Sequence, residues 1–154
     1  MSDSVEKSNA GERSNPAEGT RSVVIERVFA HSPEKLWRAL TEGPLLAQWL
    51  MNNDFEAAVG RRFQFRSEPV PNWDGVIDCE VLVIDPLKRL SYSWGALGLD
   101  SVVNFTLTPA EGGTQLRMEQ SGFRPDQEFA YKGATYGWQK FLGSLEKVLD
   151  GGAA

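Results

Sequence analysis

One cysteine, Cys79, and one histidine, His31, are all this chain holds of either residue. A lone cysteine makes no internal disulfide. One histidine and one cysteine do not assemble a zinc site of the usual His/Cys type. Cations are also in short supply: 16 Lys and Arg against 21 Asp and Glu give a net charge of −5 over 154 residues. That balance argues against a nucleic-acid groove, whose affinity rests on clustered Lys and Arg. It argues equally against a polybasic membrane-docking face. No apolar run nears the roughly 18 residues that a membrane helix needs. The first residues lack the apolar core of a secretion signal, so a cytoplasmic location is expected.

What is present suits one packed domain. Hydrophobic residues make up 41%, an ordinary share for a globular core. Residues 1–20 are the exception, rich in Ser, Glu, Asn and Gly. They cannot bury enough area to offset the entropy of ordering. The reading is a disordered tail over 1–20 and a single domain over 21–150.

The domain begins with a β-branched stretch, Ser22 to Ala30, expected as a first strand. Ser32-Pro33-Glu34 then opens a short helix, with Ser32 as its cap and Pro33 in its first turn. Gly43-Pro44 separates it from a second short helix carrying Leu46, Trp49 and Leu50. Period-two alternation follows. Phe63 and Phe65 share one face; Val76 to Ile84 forms a long strand with a bulge; Leu90, Tyr92 and Trp94 alternate, as do Val103, Phe105 and Leu107, and then Leu116, Met118 and Gln120. Gly95 to Gly98 and Glu111-Gly112-Gly113 are turns.

Asp126 is expected to cap a final helix over residues 127–149. One face of that helix holds Ala130, Tyr131, Ala134, Trp138, Phe141, Leu142, Leu145, Val148 and Leu149. The face is uneven: bulky toward its end, alternately small and aromatic at its start. Strand, two short helices, six to seven strands and a long helix make an α+β fold, with a curved antiparallel sheet gripping the helix. Where the helix presents alanines, the space beneath it is widest, and an apolar gap lined by aromatics is a candidate ligand site.

The order of these pieces resembles a known family. Val28-Phe29-Ala30-His31-Ser32-Pro33-Glu34-Lys35-Leu36-Trp37 is followed by Leu46-Ala47-Gln48-Trp49, then Val59-Gly60 with Phe63, Val81 to Pro86, Leu90 to Trp94, Gly113-Thr114, Gln120-Ser121-Gly122-Phe123 and Gly137-Trp138 with Leu142 and Leu145. This is similar to the bacterial proteins that resemble the C-terminal domain of the activator of heat-shock protein 90 ATPase, within the START-like or polyketide-cyclase superfamily. The family usually has two consecutive glycines where this chain has Gly60-Arg61. The resemblance implies a helix-grip fold with a hydrophobic cavity. It implies no one activity, since the superfamily includes ligand carriers, cyclases, dehydratases and protein-binding modules.

The residues that can carry function are few. His31 sits in a loop before a helix cap and reads as incidental. Cys79, mid-strand, reads as a small buried hydrophobe. Asp78, Glu80, Asp100, Glu119, Asp126 and Glu128 form no spacing that suggests a metal or an acid/base pair. No catalytic residue, metal or cofactor is assigned. Gln120 is polar on an apolar face and needs partners, so it is a candidate to orient a ligand, together with Tyr131. Phe65, Trp94, Phe105, Met118 and Trp138 are the expected pocket wall, with Trp49 in the same aromatic set, Trp73 as a loop lid and Ala134 leaving room. The expected function is noncatalytic binding of a small hydrophobic molecule by a monomer or weak homodimer. A cyclase- or dehydratase-like enzyme and a co-chaperone-like module with a protein partner are the alternatives.

Overall fold

The computed structural model describes residues 19–151, so the tail expected over 1–20 lies, up to residue 18, outside the described residues. Strand β1 (Arg21–Phe29) leads into helices α1 (Pro33–Thr41) and α2 (Gly43–Trp49). The sheet continues with β2 (Asn52–Asn53), β3 (Arg62–Arg66), β4 (Val76–Asp85), β5 (Arg89–Ala96), β6 (Leu99–Ala110) and β7 (Gly113–Phe123). A 3-10 turn, Pro125–Gln127, precedes helix α3 (Glu128–Asp150). The seven strands form one antiparallel sheet in the order β1-β7-β6-β5-β4-β3-β2. This is the expected helix-grip fold, with α3 laid along the inner face.

The local chemistry follows the sequence closely. Ser32 caps α1 by accepting from the Lys35 amide at 3.1 Å, and Pro33 stands in its first turn. The bulge expected in β4 appears as a register shift against β5 between Val81 and Val83. One expectation fails: Asp126 does not cap α3. The 3-10 turn intervenes, Gln127 stands at the cap without a side-chain bond to the helix amides, and Asp126 accepts instead from the Arg124 guanidinium at 3.3 Å. Pro125 explains the difference, because a proline that fixes the turn moves the true helix start past Asp126.

The inner face of β1, which the sequence leaves undecided, holds Val23 and Phe29, both buried, while Val24 and Val28 face outward. Helix α3 is held by its last three turns. Leu142, Leu145 and Leu149 are fully buried, each contributing on the order of 2 kcal/mol. At that end the Lys35 ammonium donates to the Leu149 carbonyl at 2.7 Å, and His31 Nε2 meets Asp150 Oδ1 at 2.7 Å. A cation on the last carbonyls of a helix also complements its dipole. His31 is therefore a fastening of the helix end. No helix among the described residues is long and apolar enough to cross a membrane.

Gly122 and Gly113 are among the glycines fixed by close approach. At Gly122, with φ of +109°, a Cβ would lie 2.8 Å from the Asp100 carbonyl oxygen. The irregularity there resets the alternation, so that Gln120 and Phe123 both point inward and are buried. At Gly113 a Cβ would lie 1.9 Å from the Phe29 carbonyl oxygen. We expect Gly113→Ala to lower the unfolding free energy by about 2–3 kcal/mol through forced backbone displacement. Gly112→Ala, strained at φ of +82° but meeting open space, should lose only about 1 kcal/mol. Urea unfolding of the two variants checks this; equal losses would contradict it.

Candidate functional site

Between α3 and the sheet, aromatic rings touch in a continuous chain. Trp138 contacts Trp94, Phe105 and Phe141, at centroid distances of 5.4, 5.9 and 5.5 Å. Phe65 lies 5.4 Å from Trp94 and 5.8 Å from Tyr92. Trp49 stands edge-on to Phe105 at 6.3 Å, and its indole donates to the Ala39 carbonyl at 2.8 Å. Such offset and edge contacts add about 0.5–1.5 kcal/mol per pair beyond the area they bury.

A buried polar thread crosses this apolar layer. The Trp138 indole N–H donates to Gln120 Oε1 at 2.7 Å. Gln120 Nε2 donates to Ser101 Oγ at 2.9 Å. The Ser101 hydroxyl donates to the Trp94 carbonyl at 2.8 Å. The thread joins the helix, β7, β6 and β5, and every member is satisfied, as a low-dielectric interior demands. Gln120 keeps one N–H and one lone pair beyond these bonds.

The structure divides the ten expected site residues. Trp49, Phe65, Phe105, Met118, Gln120 and Trp138 are buried and packed together. Tyr131 and Ala134 are half-buried on the first turns of α3. There Tyr131 stands edge-on to Phe123 at 5.5 Å and lies beneath the Arg21 guanidinium at 3.9 Å. Trp73 is half-buried in the β3–β4 loop and donates to the Val76 carbonyl at 3.0 Å. Trp94 alone of the ten lines an open cavity of about 850 Å³, with Leu97, Leu99, Ser101, Ser121 and Arg124 among its neighbours. Trp73 lines an adjoining hollow of about 620 Å³. Both share Leu97, at the tip of the β5–β6 turn. That turn is tied to the start of α3 by Gln127, whose side chain donates to the Gly98 carbonyl at 3.2 Å.

The centre of the grip is thus filled by Trp138, and the open space lies beside the β5–β6 turn. Sequence reasoning missed Leu99, Ser101 and Tyr92. Carrying the alternation of Val103 and Phe105 backward by two and four residues places Ser101 and Leu99 on the inner face, which is the signal that finds them. Leu97 and Gly98 both adopt positive φ, 54° and 80°, the two-residue hairpin geometry that normally selects Asn or Gly. A leucine there is strained and 72% exposed.

Asp78, Asp100 and Arg124 bring charge to the wall of the larger cavity, and several ionisable groups are already paired. Asp78 accepts from the Gln64 amide at 2.8 Å. Glu119 pairs with Arg117 at 3.0 Å. Glu128 pairs with Arg21. Among the described residues no three His, Cys, Asp or Glu side chains gather to hold a metal ion. Burial pushes the Cys79 thiol up, and the nearby Asp78 and Asp54 carboxylates push it further. The thiol therefore stays protonated at neutral pH, which suits a packing role and not a nucleophile.

Residues 30–150 match the family model described as activator of Hsp90 ATPase homolog 1-like protein. A crystal structure of a Mesorhizobium loti protein is 55% identical, covers 84% of this chain and 97% of its own, and superposes with a TM-score of 0.80. DynU16, a protein in the dynemicin biosynthetic locus, is 27% identical with a TM-score of 0.72; the match covers 85% of this chain but 48% of DynU16. The Aha1 dimer from Colwellia psychrerythraea, 24% identical over 84% of this chain and 96% of its own, shares the fold with a TM-score of 0.73. A search of the curated proteins finds no match.

Two outcomes follow from this geometry. Gln120→Leu leaves the Trp138 N–H unpaired and is expected to cost about 2 kcal/mol. The double variant Gln120→Leu/Trp138→Phe should cost less than the summed singles by about 1 kcal/mol; strict additivity in denaturant titrations would show that the two are not coupled. The raised Cys79 thiol makes stability pH-dependent in one direction. The folded protein keeps a proton that the unfolded chain loses near the ordinary thiol value of 9.0. This contribution is full below that pH and is lost as pH rises toward the folded value. Between pH 9 and 10 the wild type should lose about 1 kcal/mol more than Cys79→Ala; parallel losses would contradict the assignment.

Proposed function

The chain belongs to the activator of Hsp90 ATPase homolog 1-like family, and from that premise we propose that it binds a small hydrophobic molecule, without catalysing a reaction on it, at the open end of the grip. The observation that carries this is the lopsided burial of α3. No residue of the helix before Trp138 is buried, whereas Leu142, Leu145 and Leu149 beyond it all are. The cavity of about 850 Å³ is lined by the β5–β6 turn and the end of β7, and Gln127 ties that turn to the approach to α3; its volume is within the range of roughly 300–1,000 Å³ common for ligand sites.

In this reading Trp94 and Phe65 form the wall nearest the cavity, and Phe105, Met118, Trp49 and Trp138 form the packed layer behind it. Gln120 and Tyr131 orient the ligand, Trp73 flanks the mouth from its loop, and Ala134 leaves room beside the helix. Because Trp138 occupies the centre, the ligand lies next to it and not beneath it. Two observations support a noncatalytic role. The Cys79 thiol is held neutral. His31 is bonded at the far end of α3, a helix roughly 34 Å long at 1.5 Å per residue. The place of DynU16 in a biosynthetic locus supports a small-molecule ligand.

Fluorescence titration with N-phenyl-1-naphthylamine tests the proposal. The folded chain should bind the probe saturably with one-to-one stoichiometry, and Ala134→Trp, which fills the space beside a half-exposed position, should weaken binding about tenfold with little change in melting temperature. The absence of saturable binding, or unchanged affinity in a folded Ala134→Trp variant, would defeat it.

A further inference from the structure

Tyr92 is fully buried, and among the described residues its hydroxyl has no hydrogen-bond partner. It stands on the inward row of β5 between Leu90 and Trp94. Its ring is surrounded by Phe55, Phe63, Phe65 and Phe105, with centroids 6.3, 5.3, 5.8 and 6.0 Å away. A phenol placed among hydrocarbons gives up its hydration and recovers nothing, a penalty that phenylalanine at the same position would avoid. By contrast, the other buried polar side chains of this layer, Gln120 and Ser101, are bonded within the protein. Burial, aided by the neighbouring Cys79, holds the phenol far above its ordinary pKa, so it presents an O–H donor and never an anion at physiological pH.

A donor fixed in an apolar interior needs an acceptor delivered on an apolar body. We infer that the Tyr92 hydroxyl donates to the single acceptor oxygen of an otherwise hydrophobic ligand, of the class of flat aromatic ketones. This deepens the ligand-binding reading above and rests on it. The path is lined by rings. Phe65 lies between Tyr92 and Trp94, and Trp94 is in the wall of the open cavity. The ligand body lies along Phe65 and Trp94 with its carbonyl innermost. The Phe65 ring shifts to admit it.

Calorimetric titration of the full chain with 2-acetylnaphthalene and with 2-ethylnaphthalene, nearly the same shape but without an acceptor, tests the assignment. The wild type is expected to bind the ketone about tenfold more tightly than the hydrocarbon, the effect of one added hydrogen bond. Tyr92→Phe should erase that preference by weakening the ketone alone, with hydrocarbon affinity held within about twofold. It should also melt at or above the wild-type temperature, since it removes an unpartnered hydroxyl. A ketone preference that survives in Tyr92→Phe, or no preference in the wild type, overturns the role of Tyr92 while hydrocarbon binding keeps the ligand reading intact. Failure of the wild type to bind either probe overturns both. A clearly lower melting temperature for Tyr92→Phe means that the hydroxyl is bonded within the fold, which also overturns the assignment.

Discussion

The bond from the Trp138 indole to Gln120 locks the long helix onto the sheet at one depth and one rotation. Hydrophobic contact alone would let a helix slide along a smooth apolar surface, because the hydrophobic effect has no direction. A buried donor with a single acceptor within reach removes that freedom. Gln120 is held in turn by Ser101, and Ser101 by the Trp94 carbonyl, so four elements share one reference point. The aromatic rings around Trp138 pack against a position that this thread has already set.

That anchoring gives the molecule two unlike ends. Beyond Trp138 the helix buries leucines and is capped by Lys35 and His31. Before Trp138 it touches the fold through small or half-buried residues, Ala130, Tyr131 and Ala134. Phe129, in its first turn, is 93% exposed. The cavity lies beside the β5–β6 turn, which Gln127 ties to the approach to this second end.

Much of this was legible in the sequence. The order of strands and helices, the apolar face of α3 and the inward placement of Gln120 follow from periodicity and turn chemistry, and the resemblance to the family rests on the same pieces. The failures have physical causes. Asp126 looked like a cap because aspartate before a helix usually is one; Pro125 converted the approach into a 3-10 turn. The extent of β6 toward its start was missed because Leu99 to Val102 lacks the aromatic alternation that marks Val103 to Leu107, which hid Ser101 and Leu99 from the list of site residues. That Trp138 fills the centre, with the cavity displaced to the β5–β6 turn, depends on side-chain volumes and twist that no period of two or 3.6 encodes. Tyr92 was visible as an inward residue between Leu90 and Trp94. That its hydroxyl lacks a partner is a fact about three dimensions.

Helix α3 behaves as a beam clamped at one end. Its C-terminal turns are fastened by buried leucines and by bonds to Lys35 and His31. Its first turns are tethered by contacts such as Arg21 with Glu128 and Gln127 with Gly98, which are exposed to water and therefore weak. Thermal bending of such a beam grows toward the loose end, as does local opening where buried contacts are few. The first turns of the helix can thus move without loosening the Trp138 anchor or the leucine layer behind it. Local opening at the loose end is thereby uncoupled from global unfolding, because the buried contacts that hold the fold together lie beyond Trp138.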